Sequence, residues 1–151
     1  VNKPLRIILQ ESDDDFRKQI EKEFATDARF VLLKSFKSFY VLKAEAHLFN
    51  TDVVLLNWRY PKQKLFDFIE TSKKINPKTK VLVMFDFVQP DFVFKMLQCG
   101  ADGFLLKPFP ANEVFQYAHK SSFAKLLFHL DVLNNPVYRN STSLTNIRLY
   151  G

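Results

Sequence analysis

Five short apolar runs recur along this chain, each followed by a stretch with helical spacing, and that alternation limits the fold more than any other feature. The runs are Leu5-Arg6-Ile7-Ile8-Leu9, Phe30-Val31-Leu32-Leu33, Val53-Val54-Leu55-Leu56, Val81-Leu82-Val83-Met84-Phe85 and Gly103-Phe104-Leu105-Leu106. The third and fourth are apolar throughout, as strands buried on both faces should be. Phe16, Ile20 and Phe24, behind Asp13-Asp14-Asp15, predict an N-capped amphipathic helix. Phe39, Leu42, Ala46 and Phe49 predict a second helix within Ser38 to Phe49. Leu65, Phe68 and Ile69 mark a third, which Asn76-Pro77 ends. Phe92 to Gln98 reads as a fourth, with Gly100 where a left-handed C-terminal cap is wanted. A fifth is predicted to begin near Asn112, as its N-cap.

Strands alternating with helices imply right-handed crossovers and a parallel sheet covered on both faces. The expected fold is therefore α/β, a flavodoxin-like three-layer sandwich with a five-stranded parallel sheet. Chemistry then belongs at the carboxyl ends of the strands, near the topological switch point. Glu11, Ser12, Asn57, Phe85, Asp86 and Lys107 fall there.

Residues 1–121 read as this domain and 122–151 as a C-terminal extension. Phe123, Leu126, Leu127 and Leu130 share one face at helical spacing, so a helix is predicted over about 123–133, followed by a polar tail. An isolated helix this short is marginal in water, so it is expected to dock on the domain or on a second copy of the chain.

The composition narrows the function classes. The net charge is +6, but the lysines are scattered rather than striped with aromatics, and direct binding of nucleic acid is not expected. Cys99 is the sole cysteine, which excludes a disulfide framework and a cysteine metal cluster. His47, His119 and His129 have no metal-ligand spacing. No apolar run approaches a membrane span and no signal-peptide pattern is present, so a cytoplasmic protein without a membrane contact is expected.

The segment Gly100-Ala101-Asp102-Gly103-Phe104-Leu105-Leu106-Lys107-Pro108-Phe109 resembles the fifth-strand signature of bacterial response-regulator receiver domains. Arg6 to Arg17 and Val53 to Pro61 align with the family's first and third strands and their loops. The resemblance covers roughly residues 5 to 120 and implies a CheY-like fold in two-component phosphorelay signalling. It also implies a cis peptide bond before Pro108 and a switch aromatic at Phe104. The family's chemistry is phosphoryl transfer to an aspartate at the end of the third strand. Two acids after the first strand hold Mg²⁺, and a hydroxyl and a lysine hold the phosphoryl oxygens.

By that resemblance the phosphoacceptor site is degenerate. Asn57 stands at the nucleophile position, Glu11 and Ser12 at the acid pair, and Phe85 at the hydroxyl. Only Glu11 and Lys107 keep a suitable group, and an ion pair between them, or one using Asp86, is expected in place of metal. No cofactor is expected, and Mg²⁺ binding should be weak or absent. Leu65 replaces a glycine usual near that point, so the loop from Tyr60 to Leu65 is expected to run differently. Trp58 reads either as a partner anchor or as a loop aromatic over the vacated pocket.

The expected function is a pseudo-receiver that acts through a protein partner, possible self-association included, without phosphorylation and without enzymatic activity. The alternative is a regulator still phosphorylated on an unorthodox acid, Asp13 or Asp86. A flavin carrier or enzyme on the same fold fits least, because Glu11-Ser12-Asp13-Asp14-Asp15 would repel a phosphate.

Overall fold

The computed structural model describes residues 3–119, apart from Tyr60 and Val88. The predicted helix over 123–133, the polar tail and His129 lie outside the described residues. The elements are β1 (Leu5–Gln10), α1 (Asp14–Ala25), β2 (Phe30–Phe36), α2 (Phe39–Glu45), β3 (Val53–Asn57), α3 (Lys62–Ile75), β4 (Lys80–Phe85), α4 (Pro90–Gln98), β5 (Gly103–Leu106) and α5 (Ala111–His119). A 3₁₀ turn, Ala46–Leu48, continues α2. The five strands form one parallel sheet in the order β2-β1-β3-β4-β5. The expected α/β sandwich is the fold of this chain.

Side chains alternate across the sheet, as the two-residue period of a strand requires. Ile8, Val54, Leu56, Val83 and Phe85 face one core, which α2, α3 and α4 cover. Ile7, Leu9, Val53, Leu55, Leu82 and Met84 face the other, under α1 and α5. Since both faces are covered, β3 is buried at every position. This accounts for its unbroken apolar sequence.

Local signals start some of the helices. The Asp13 carboxylate accepts from the Phe16 amide at 3.0 Å, and Asp14 and Asp15 occupy the first turn of α1. Ser38 likewise caps α2, accepting from the Val41 amide at 3.3 Å. Gly100 has φ +108°, the left-handed conformation expected after α4.

Two expectations are corrected. Asn112 lies inside α5 and does not cap it. Instead Glu23 of α1 accepts from the Ala111 amide at 2.9 Å, while Asn112 accepts from Arg29 at 2.9 Å. The cap comes from a carboxylate 88 residues away, which no local pattern reveals. Residues 62–65, read as part of a loop, are helical: α3 begins at Lys62, and Leu65 is fully buried on that helix.

Gly103 is required by close packing rather than by its φ. A Cβ there would lie 2.2 Å from Cε1 of Tyr117, whose ring is buried against β5. Gly103→Ala is expected to cost about 1–3 kcal/mol or more of overpacking strain, measured by urea unfolding. A loss within ~0.5 kcal/mol would mean that the ring moves aside freely.

Candidate functional site

Strands β1, β3 and β5 end at the same edge of the sheet, and the polar side chains just there close on one another. Glu11 follows β1 with no exposure, Asn57 ends β3 at 1% exposure, and the Lys107 side chain follows β5 at 9%. Asn57 Nδ2 donates to Glu11 Oε2 at 2.9 Å, and Lys107 Nζ donates to Asn57 Oδ1 at 3.2 Å. Lys107 also forms an ion pair with Glu11 Oε1. The backbone amide of Asp13 gives Glu11 Oε2 a further hydrogen bond at 3.1 Å.

The amide of Asn57 is suited to this position because it offers a donor to an acid and an acceptor to a base. A carboxylate there would instead face Glu11 with like charge. The expected Glu11–Lys107 ion pair is present. Asp86 pairs elsewhere, with Arg59, and also accepts from Trp58 Nε1 at 3.4 Å. Burial pushes the Asp86 carboxyl up, but the Arg59 hydrogen bond, the charge of Lys107 and the Trp58 hydrogen bond outweigh it. The carboxyl therefore titrates below its ordinary value.

Beside this polar set lies an aromatic one. Phe85, fully buried at the end of β4, stacks on Trp58 at 5.8 Å and 21°. It meets Phe92 edge-on at 5.5 Å and Phe104 at 6.1 Å. Of the two readings of Trp58, the aromatic laid over the site's interior is the one its packing matches. Phe104 is 3% exposed and packed into the core. The Lys107–Pro108 bond is cis. Lys107 also stands 5.0 Å from the centroid of the Phe16 ring, within cation–π range.

Ser12 is exposed and outside the polar contact set. Gln10 is a contributor that the sequence reading passed over. Fully buried, it accepts from the Asn57 backbone amide at 3.2 Å and donates to the Lys37 carbonyl at 3.0 Å. Its signal was a polar side chain closing an apolar strand. Arg17, also passed over, donates to the Glu11 carbonyl at 2.8 Å and to Asp14 at 2.7 Å, holding the loop after β1.

The family model for the response regulator receiver domain matches residues 7–119. The chain belongs to the response regulator receiver family. It is 27% identical over 90 residues to the response regulator protein VraR of Staphylococcus aureus, covering 60% of this chain and 43% of VraR. The receiver thus spans less than half the length of the curated relatives it matches.

Among solved structures, the signal receiver domain of NarL from Mycobacterium tuberculosis is 20% identical with a TM-score of 0.60, covering 87% of this chain and 97% of that one. RcsB from Salmonella enterica serovar Typhimurium, bound to promoter rprA, is 16% identical with a TM-score of 0.67, covering 97% and 77%. A response regulator from Thermotoga maritima is also 16% identical, with a TM-score of 0.67, covering 78% and 99%. At these identities the structural likeness is one of fold. Family membership places the receiver in two-component signal transduction. Among its described residues no helix is long and apolar enough to cross a membrane.

Proposed function

We propose that this receiver is of the degenerate, pseudo-receiver type and signals by binding a protein partner, with self-association as one form, rather than by accepting phosphate. The observation that carries the reading is Asn57, which stands where the family's acceptor aspartate would be and joins Glu11 to Lys107. An amide delocalises its nitrogen lone pair and carries no charge, so it does not attack phosphorus as a carboxylate does. Phe85 adds to this by filling the position of the phosphoryl-binding hydroxyl with a buried ring.

The residues present do not fit Mg²⁺. That ion takes near-octahedral oxygen ligands, commonly from one or two free carboxylates. Here Glu11 is engaged by Lys107, Asn57 and the Asp13 amide, and Ser12 points no carboxylate at the site. No group of three or more His, Cys, Asp or Glu among the described residues has a metal-holding arrangement. Lys107 supplies the positive charge that balances Glu11. On this reading the receiver is a cytoplasmic binding module and not an enzyme.

Phosphorylation of an unorthodox acid has less support. Asp13 is committed to capping α1, and Asp86 is paired with Arg59. Incubation with acetyl phosphate and Mg²⁺, followed by intact-mass measurement, is expected to add no phosphoryl group. Asn57→Asp alone is expected to behave the same way, because Phe85 and Ser12 remain. The triple change Ser12→Asp, Asn57→Asp and Phe85→Thr is the minimum expected to gain mass. An adduct on the unaltered protein, stable enough to map to Asp13 or Asp86, would overturn the proposal in favour of the alternative.

A further inference from the structure

Gln10 closes β1 with a polar side chain directly after Ile7, Ile8 and Leu9. By the two-residue period of a strand it shares the face of Ile8, which α2, α3 and α4 cover, and it has no exposure. A primary amide buried there is tolerated only when both of its ends are hydrogen-bonded. The register of β1 with β3 ends at Gln10 opposite Leu56. The next amide of β3, that of Asn57, donates to Gln10 Oε1 at 3.2 Å in place of a strand carbonyl. At the other end, Gln10 Nε2 donates to the Lys37 carbonyl at 3.0 Å. One planar group therefore reaches across β1, from the end of β3 to the segment that follows β2.

Both ends of that bridge lead further. The Asn57 side chain joins Glu11 to Lys107, so the residue that completes the polar set also holds Gln10 through its backbone. Lys37 directly precedes Ser38, the N-cap of α2. In the first turn of α2, Phe39 is fully buried and meets Phe68 edge-on at 5.7 Å, while Tyr40 and Val41 are 51% and 45% exposed. Donor and acceptor sit on one rigid amide. A shift of the Asn57 backbone must carry the Lys37 carbonyl with it or leave a buried group unpaired, which is costly. On the other flank of Asn57, Phe85 presents a buried ring with no hydrogen-bonding group.

We infer that Gln10 is a positioning residue that couples the Glu11–Asn57–Lys107 set to the start of α2, so that the turn bearing Tyr40 and Val41 follows the state of that set. The inference goes beyond the pseudo-receiver reading and does not rest on it, since the coupling lies in hydrogen bonds present whether or not phosphate is accepted. It marks the first turn of α2 as the surface on which the state of the site is readable.

The test uses amide spectra of the ¹⁵N-labelled full chain, with Asn57→Ala as the perturbation because it leaves the Lys107–Glu11 ion pair in place. Shifts are expected at Ser38, Phe39, Tyr40 and Val41 as well as at Glu11 and Lys107, and the Gln10 side-chain NH₂ resonances are expected to move. In a Gln10→Met background, Asn57→Ala is expected to lose its effect on α2 while keeping its effect at Glu11 and Lys107. Absence of the α2 shifts, or their persistence in Gln10→Met, would overturn the coupling. Should Gln10→Met not fold, the Gln10 NH₂ pair decides: unmoved resonances in Asn57→Ala sink the inference, and resonances that move together with α2 support it. Asn57→Asp repeats the perturbation at constant side-chain size. No phosphodonor enters these measurements, so their failure and that of the pseudo-receiver proposal are separate outcomes.

Discussion

Lys107→Met is expected to destabilise the domain by about 3–5 kcal/mol in urea unfolding at neutral pH. Glu11 has no exposure and the Lys107 side chain only 9%, so neither charge is well solvated. Removing the ammonium leaves Glu11 with the Asn57 amide and the Asp13 N–H but no counter-charge. It also leaves Asn57 Oδ1 without its Lys107 donor. The loss is expected to be smaller when both charges go, as in Glu11→Leu with Lys107→Met, because no uncompensated charge remains, while Asn57 then lacks both side-chain partners. That contrast separates the ion pair from general packing. If the single variant loses under ~1 kcal/mol, or the double variant loses as much as the single, the pair does not hold this end of the sheet together.

Phe85→Ala is expected to cost a similar amount, about 3–5 kcal/mol, for a different reason. The ring is fully buried and touches Trp58, Phe92 and Phe104, so truncation opens a cavity at the centre of an aromatic cluster. Trp58 is the only tryptophan, and its emission reports this directly. Loss of the stacked neighbour is expected to shift the emission toward the red as water reaches the indole. Phe85→Leu, which keeps most of the volume, should retain most of the stability and a smaller shift. Unchanged Trp58 emission in the Ala variant would show that the stack does not fix the indole. The same cluster makes Phe85→Thr costly, so the triple variant proposed above is expected to start from a weakened fold.

The two expected losses act on adjacent but physically distinct parts of one strand edge. The polar part depends on charge balance, and the aromatic part on filled volume. On the proposed reading the receiver lacks the groups for phosphoryl chemistry and keeps a cross-strand connection at that site. Glu11, Asn57 and Lys107 still tie β1, β3 and β5 together. Such a link favours a single conformation, as the proposed partner-binding role would require.

Much of this was legible from residues alone, because strand burial and helix periodicity are local consequences of side-chain type. The unbroken run Val53 to Leu56 announced a strand covered on both faces, and Asp13 and Gly100 marked helix ends through short-range hydrogen bonding and backbone conformation. The placement of Glu11, Asn57 and Lys107 at one edge followed from parallel topology, which brings all strand carboxyl ends to the same side. What only the tertiary structure decided involves partners distant in sequence. Glu23 rather than Asn112 caps α5, and Gln10 holds the Asn57 backbone amide. Gly103 is required by the Tyr117 ring. Each depends on which atoms the packed layers bring within a few ångströms of each other, and a one-dimensional pattern of residue types does not contain that distance.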